Sequence, residues 1–87
     1  MRGSWHAFLA VLETATQPHT VNEIEDQIWA RGGLWSSSRI STAAGELLGQ
    51  GFVCLDAVDG VSRYSRRARR YSITDAGREL LGRTARE

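Results

Sequence analysis

The 87 residues make one domain at most, and a chain this short buries only roughly 60–65% of the surface its unfolded form exposes, so its core is thin. Composition is that of an ordinary globular protein, 41% hydrophobic and 24% charged, with no low-complexity or repeated segment. The net charge of +1 hides an asymmetry: residues 1–36 hold two Arg against four acids, a net of −2, and residues 37–87 hold nine Arg against six acids, a net of +3. A single cysteine, Cys54, excludes an intramolecular disulfide and fits a reducing compartment. The apolar residues 8–12 are interrupted by Glu13 and the polar stretch after it, too soon for a signal peptide or a membrane span, so a cytoplasmic protein is expected.

In chain order, Trp5, Phe8, Leu9 and Leu12 fall at i, i+3, i+4, i+7 and predict a first helix, with Ser4 as its N-cap. The polar run 14–20, with Pro18 inside it, ends this helix. Thr20 and Glu23 have the spacing of a capping box, which opens a second helix lined by Val21, Ile24 and Ile28, with Trp29 beside them. Gly32-Gly33 stops it. Ser36, Ser37 and Ser38 are three candidate caps for a third helix whose apolar positions are Ile40, Ala43, Ala44, Leu47 and Leu48. Gly51 stands where a terminating glycine belongs, with Phe52 as its hydrophobic contact.

The hydrophobic period then shortens to 2. Residues 52–58 read as a strand with Val53, Leu55 and Ala57 on one face, Asp59-Gly60 as a turn, and residues 69–73 as the returning strand. Thr74 caps a last helix with Ala76, Leu80 and Leu81 on its apolar face. The expected fold is mainly α with a small β-ribbon, an α+β winged helix-turn-helix of order ααα-ββ-α, as a single domain over residues 1–87.

In a helix-turn-helix the second helix of the motif enters the major groove by its N-terminal residues. With the apolar set turned inward, Ser37, Ser38, Arg39, Ser41 and Thr42 face outward as candidate DNA contacts, and Gly45 permits close approach. Five Arg and no acid fall within residues 63–70. Arg63, Arg66, Arg67 and Arg69 sit at the ribbon, where a basic loop beside a recognition helix meets the phosphate backbone or a narrow minor groove. Arg70, next to Tyr71 in the strand, has a structural role as its alternative. Trp5 and Trp29 read as packing residues; Trp35 either pins the connection between the second and third helices or faces a partner. His6, His19 and Cys54 lack metal-ligand spacing, and no phosphate loop or nucleophile motif is present, so neither an enzyme nor a bound cofactor or metal is expected.

Several stretches together resemble the PadR family of winged-helix transcriptional regulators, and MarR-type regulators more distantly. They are Met1-Arg2-Gly3-Ser4, Glu23-Ile24, Gly32-Gly33-Leu34-Trp35-Ser36, Leu47-Leu48-Gly49-Gln50-Gly51-Phe52-Val53 and, most specifically, Arg69-Arg70-Tyr71-Ser72-Ile73-Thr74-Asp75-Ala76-Gly77-Arg78-Glu79-Leu80-Leu81. The resemblance implies a dimeric DNA-binding repressor or activator. Its third helix would lie in the major groove and its wing on the backbone or minor groove. Trp5, Phe8, Leu80 and Leu81 on the terminal helices are the expected dimer contacts. The chain ends soon after Leu81, where the family continues into longer helices, so no small-molecule effector is expected. The competing reading is a winged helix used for protein contact, as an adaptor, an anti-repressor or an assembly subunit.

Overall fold

The computed structural model describes residues 3–56 and 69–86, with side chains as far as Arg83. Along these residues run α1 (Gly3–Thr14), β1 (His19–Thr20), α2 (Val21–Ala30), α3 (Ser37–Gln50), β2 (Val53–Leu55), β3 (Arg70–Ile73) and α4 (Asp75–Arg86). α1 is central and packs against α2, α3, α4 and β3.

The apolar spacing of α1 buries Phe8, Leu9, Val11 and Leu12 and leaves Trp5 half-buried. Ser4 is not its cap. The helix already includes Gly3, which places Ser4 inside the first turn at 4% exposure. Gly3 lies against the Trp35 ring, where a Cβ would come within 2.6 Å of Cζ2.

The capping box that opens α2 forms as its spacing predicts. The Glu23 N–H donates to Thr20 Oγ1 (3.3 Å) and the Thr20 N–H donates to Glu23 Oε1 (2.9 Å). Arg70 adds an ion pair, Nη1 to Glu23 Oε1 at 3.7 Å, which is the structural role left open for this residue. The Thr20 backbone hydrogen bond holds the Glu23 carboxyl below its ordinary value; partial burial opposes it, and the Thr20 hydroxyl, His19 and Arg70 assist. A pKa lowered by folding makes the carboxylate's contribution fully present above the unfolded value and lost as pH falls through the folded one. Solvent screens this half-exposed group, so the effect is on the order of 0.5 kcal/mol. Urea midpoints followed from pH 6 down to pH 3 should show that loss in the parent and a flatter profile in Glu23→Gln. Parallel profiles would remove the charge from the cap.

Of the three candidate caps for α3, Ser36 serves: its hydroxyl accepts the Arg39 N–H at 3.2 Å. Ile40, Ala43, Ala44 and Leu47 are buried, with Leu48 half-buried beside them. The helix ends at Gly51 in the left-handed region (φ 80°), where side chains with a Cβ are disfavoured. The Gly51 N–H reaches Leu48 O (3.2 Å) and the Phe52 N–H reaches Leu47 O (3.0 Å), so two orphan carbonyls of the last turn are satisfied.

Among the described residues the sheet is antiparallel and has three strands rather than the two expected, in the order β1-β3-β2. Val53 pairs with Ile73 and Leu55 with Tyr71. On the other edge His19 pairs with Tyr71 and Thr20 with Arg70. Two residues carry no readable period, so β1 is visible only once β3 lies beside it. Val53, Tyr71 and Ile73 face the core, and Tyr71 meets Phe8 edge to face at 5.9 Å. Leu55, expected on the same inner face, is 39% exposed although its partner Tyr71 is buried, because β2 is an edge strand of the sheet and β3 is its centre. The expected Asp59-Gly60 turn lies outside the described residues.

Thr74 caps α4 as expected: its Oγ1 accepts the Gly77 N–H (3.1 Å) and donates to Gly51 O (2.7 Å). The inward face of α4 differs from the expectation. Leu81 is buried and Leu80 half-buried, but Ala76 is exposed, and the position next to it, Gly77, takes its place against Phe52. The expected dimer set is therefore not a free face, since Phe8 is 0% and Leu81 6% exposed within the single chain.

Candidate nucleic-acid interface

The N-terminal half of α3 is a polar face on a rigid support. Ser37, Ser38, Arg39, Ser41 and Thr42 are all exposed, while Ile40, Ala43 and Ala44 between and after them are buried. These five residues are not equally free to bond elsewhere. Ser37 Oγ donates to Glu25 Oε2 at 3.4 Å, and Thr42 Oγ1 donates to Ser38 O at 2.9 Å within the helix. Both hydroxyl oxygens keep lone pairs as acceptors. The Arg39 side chain is an exposed guanidinium near the cap, and its backbone N–H is the one that Ser36 satisfies. No atom beyond its own helix surroundings comes within 4 Å of where a Gly45 Cβ would stand, so this stretch of α3 is open.

Arg69 enters the same region from the ribbon. It is half-buried immediately before β3 and lines a cleft of about 180 Å³ together with Asn22, Ser41, Gly45 and Tyr71. The fold thus brings the first helix of the motif, the middle of α3 and the root of the wing to one concave surface. Arg63, Arg66 and Arg67 lie outside the described residues.

Glu25 was missed by the sequence reading. It lines that cleft at 8% exposure and ties the first residue of α3 to α2 through Ser37. The signal was present: Val21, Ile24, Glu25 and Ile28 complete the i, i+3, i+4, i+7 set, so Glu25 lies on the inward stripe. Glu46, which is not one of the apolar positions of α3, is half-buried and accepts the Trp5 indole N–H at 3.0 Å.

The tryptophans divide differently from the expectation. Trp5 is half-buried and tilted against Phe52, with centroids 6.1 Å apart. Trp35 packs on the core and over Gly3, so it pins the connection between α2 and α3. Trp29 is not core. It is 44% exposed, and its Nε1 donates to Trp35 O at 2.8 Å, which secures the same connection from outside. Leu34, between them, is 96% exposed.

Among the described residues no His, Cys, Asp and Glu side chains gather in a group able to hold a metal ion, and no helix is long and apolar enough to cross a membrane.

No protein-family model matches the sequence, and no curated protein matches it. Solved structures do match. One is a PadR family transcription regulator from Clostridium difficile, with a TM-score of 0.74 and 16% identity over 95% of this chain and 83% of that one. Another is a MarR family regulator from Neisseria meningitidis, with a TM-score of 0.69 and 21% identity over 99% of this chain. This chain spans 56% of the length of the MarR family regulator. Among the described residues four helices stand around a small antiparallel sheet, and the chain has the winged-helix fold of these two regulators.

Proposed function

We propose that the chain binds double-stranded DNA as a transcription regulator, with residues 1–87 acting as one winged-helix domain in the cytoplasm. α3 enters the major groove with Ser37, Ser38, Arg39, Ser41 and Thr42 at its leading face. Arg63, Arg66, Arg67 and Arg69 lie on the backbone or in the minor groove. The observation that carries this reading is the shared concave surface, where Ser41 and Gly45 of α3 meet Arg69 at the root of the Arg-rich segment. The fold shared with two regulators supports it. A single short recognition helix buries little surface, so two copies on paired half-sites complete the reading.

Fluorescence anisotropy with duplex DNA over a range of salt tests it. Each phosphate contact that is lost flattens the plot of log affinity against log salt by about 0.9. The double variant Arg66→Ala/Arg67→Ala is therefore expected to bind all duplexes more weakly by similar factors, with a slope shallower by about 1.8. Arg39→Ala is expected to cost about 1–3 kcal/mol on a duplex selected from a random pool, and less on mixed-sequence DNA. Unchanged affinity and slope in the wing variant would remove the wing from the interface. No binding by the parent at low salt would put the protein-contact reading ahead.

A further inference from the structure

Leu34 is the most exposed large apolar side chain among the described residues, at 96%, and it stands two residues before the cap of α3. Its backbone is held on both sides. The Gly33 N–H donates to Ile28 O at 2.9 Å, the Trp29 indole N–H donates to Trp35 O at 2.8 Å, and Trp35 packs on the core. The leucine is therefore presented to solvent by a fixed frame, at the end of α3 that carries Ser38 and Arg39.

We propose that Leu34 is a specificity-determining residue that packs on the C5-methyl of a thymine at the edge of the site read by α3, an inference that rests on the DNA reading above. Recognition helices meet base edges at their N-terminal end. Among the major-groove edges the thymine methyl is the apolar feature, and an aliphatic side chain recognises it by contact. A protein partner fits less well. Leu34 and the exposed part of Trp29 together offer far less than the ~800 Å² per partner that a stable protein contact covers.

Replacing thymine by uracil removes that methyl and nothing else. The probe is a duplex selected by the full chain from a random pool, remade with each thymine in turn changed to uracil. The parent is expected to lose about fourfold in affinity at one position beside the bases that depend on Arg39, the worth of about one buried methyl-sized group. Leu34→Ala is expected to bind the thymine duplex more weakly by a similar factor and to be indifferent to uracil at that position. Its unfolding midpoint should match the parent's, because the side chain touches little. An equal uracil loss in Leu34→Ala and parent overturns the proposal, as does a selected duplex with no methyl-sensitive position. Should Leu34→Ala instead abolish self-association in sedimentation while DNA affinity stays at the parent's value, the occupant is a second copy and the proposal falls. A parent that binds no duplex removes the DNA reading together with this one; a parent that binds without methyl sensitivity removes this one alone.

Discussion

Gly77→Ala should lower the unfolding free energy by about 3 kcal/mol, the upper part of the range for overpacking a tight contact. The added Cβ would stand 2.1 Å from the Phe52 carbonyl oxygen and 2.8 Å from Ile73 Cγ1. A flexible side chain can swing away from such an intrusion, but a backbone carbonyl cannot. The Phe52 oxygen also accepts the Thr74 N–H at 3.1 Å, and the Thr74 hydroxyl reaches Gly51 O at 2.7 Å, so moving α4 outward opens both bonds that clamp it to the end of α3. Gly49→Ala is the control. It lies on the exposed side of α3 with nothing within 4 Å of the new Cβ, and should gain roughly 0.5–1 kcal/mol from helix propensity. Urea unfolding followed by far-UV circular dichroism distinguishes the two. Equal stability of Gly77→Ala and the parent would mean that α4 does not sit on Phe52.

The largest effect is expected from Phe8→Ala, at about 3–5 kcal/mol. Phe8 is fully buried at the centre of a thin core and meets the Tyr71 ring edge to face at 5.9 Å and 85°. A chain of this size has a total stability of roughly 4–13 kcal/mol, so the loss is a large share of it and, at the lower end of that range, would unfold much of the variant at room temperature. Phe8→Leu keeps most of the volume and gives up the ring contact, worth about 0.5–1.5 kcal/mol, and should stay folded with a lower midpoint. The variant also links the core to the proposed interface, because Tyr71 lies on β3 and lines the cleft with Arg69. Loosening Phe8 should therefore weaken DNA binding in Phe8→Leu although no DNA-facing residue is changed. A Phe8→Ala protein with the parent's midpoint would show that the cavity closes by rearrangement, and that Phe8 is not the centre of the core.

What the sequence determined by itself was whatever is decided within three or four residues or by helical period. The capping box of Thr20 and Glu23, the Gly51 ending with Phe52 behind it, the Thr74 cap and the inward stripe of α3 are all such features, and all form as their spacing predicts. The exposed face of α3, with Ser38, Arg39 and Ser41 on it, follows from the same period. The rest needed partners distant in the chain. β1 exists because His19 and Thr20 meet Tyr71 and Arg70, and a two-residue strand has no pattern of its own. Gly77 is by type a weak helix former, and what requires it in α4 is the close approach of the Phe52 carbonyl, 25 positions earlier in the chain. Trp29 sits beside a core stripe in sequence, yet the turn after α2 draws its indole N–H to Trp35 O and keeps its ring at the surface. Glu25 falls on an inward stripe that ordinarily excludes a carboxylate, and it is tolerated there because the cleft and Ser37 supply a polar lining that only packing α2 against α3 creates. Local hydrogen bonds and periodicity choose the elements; which of their polar and aromatic side chains end up in the cleft is decided by the contacts between elements, where desolvation and close packing are settled.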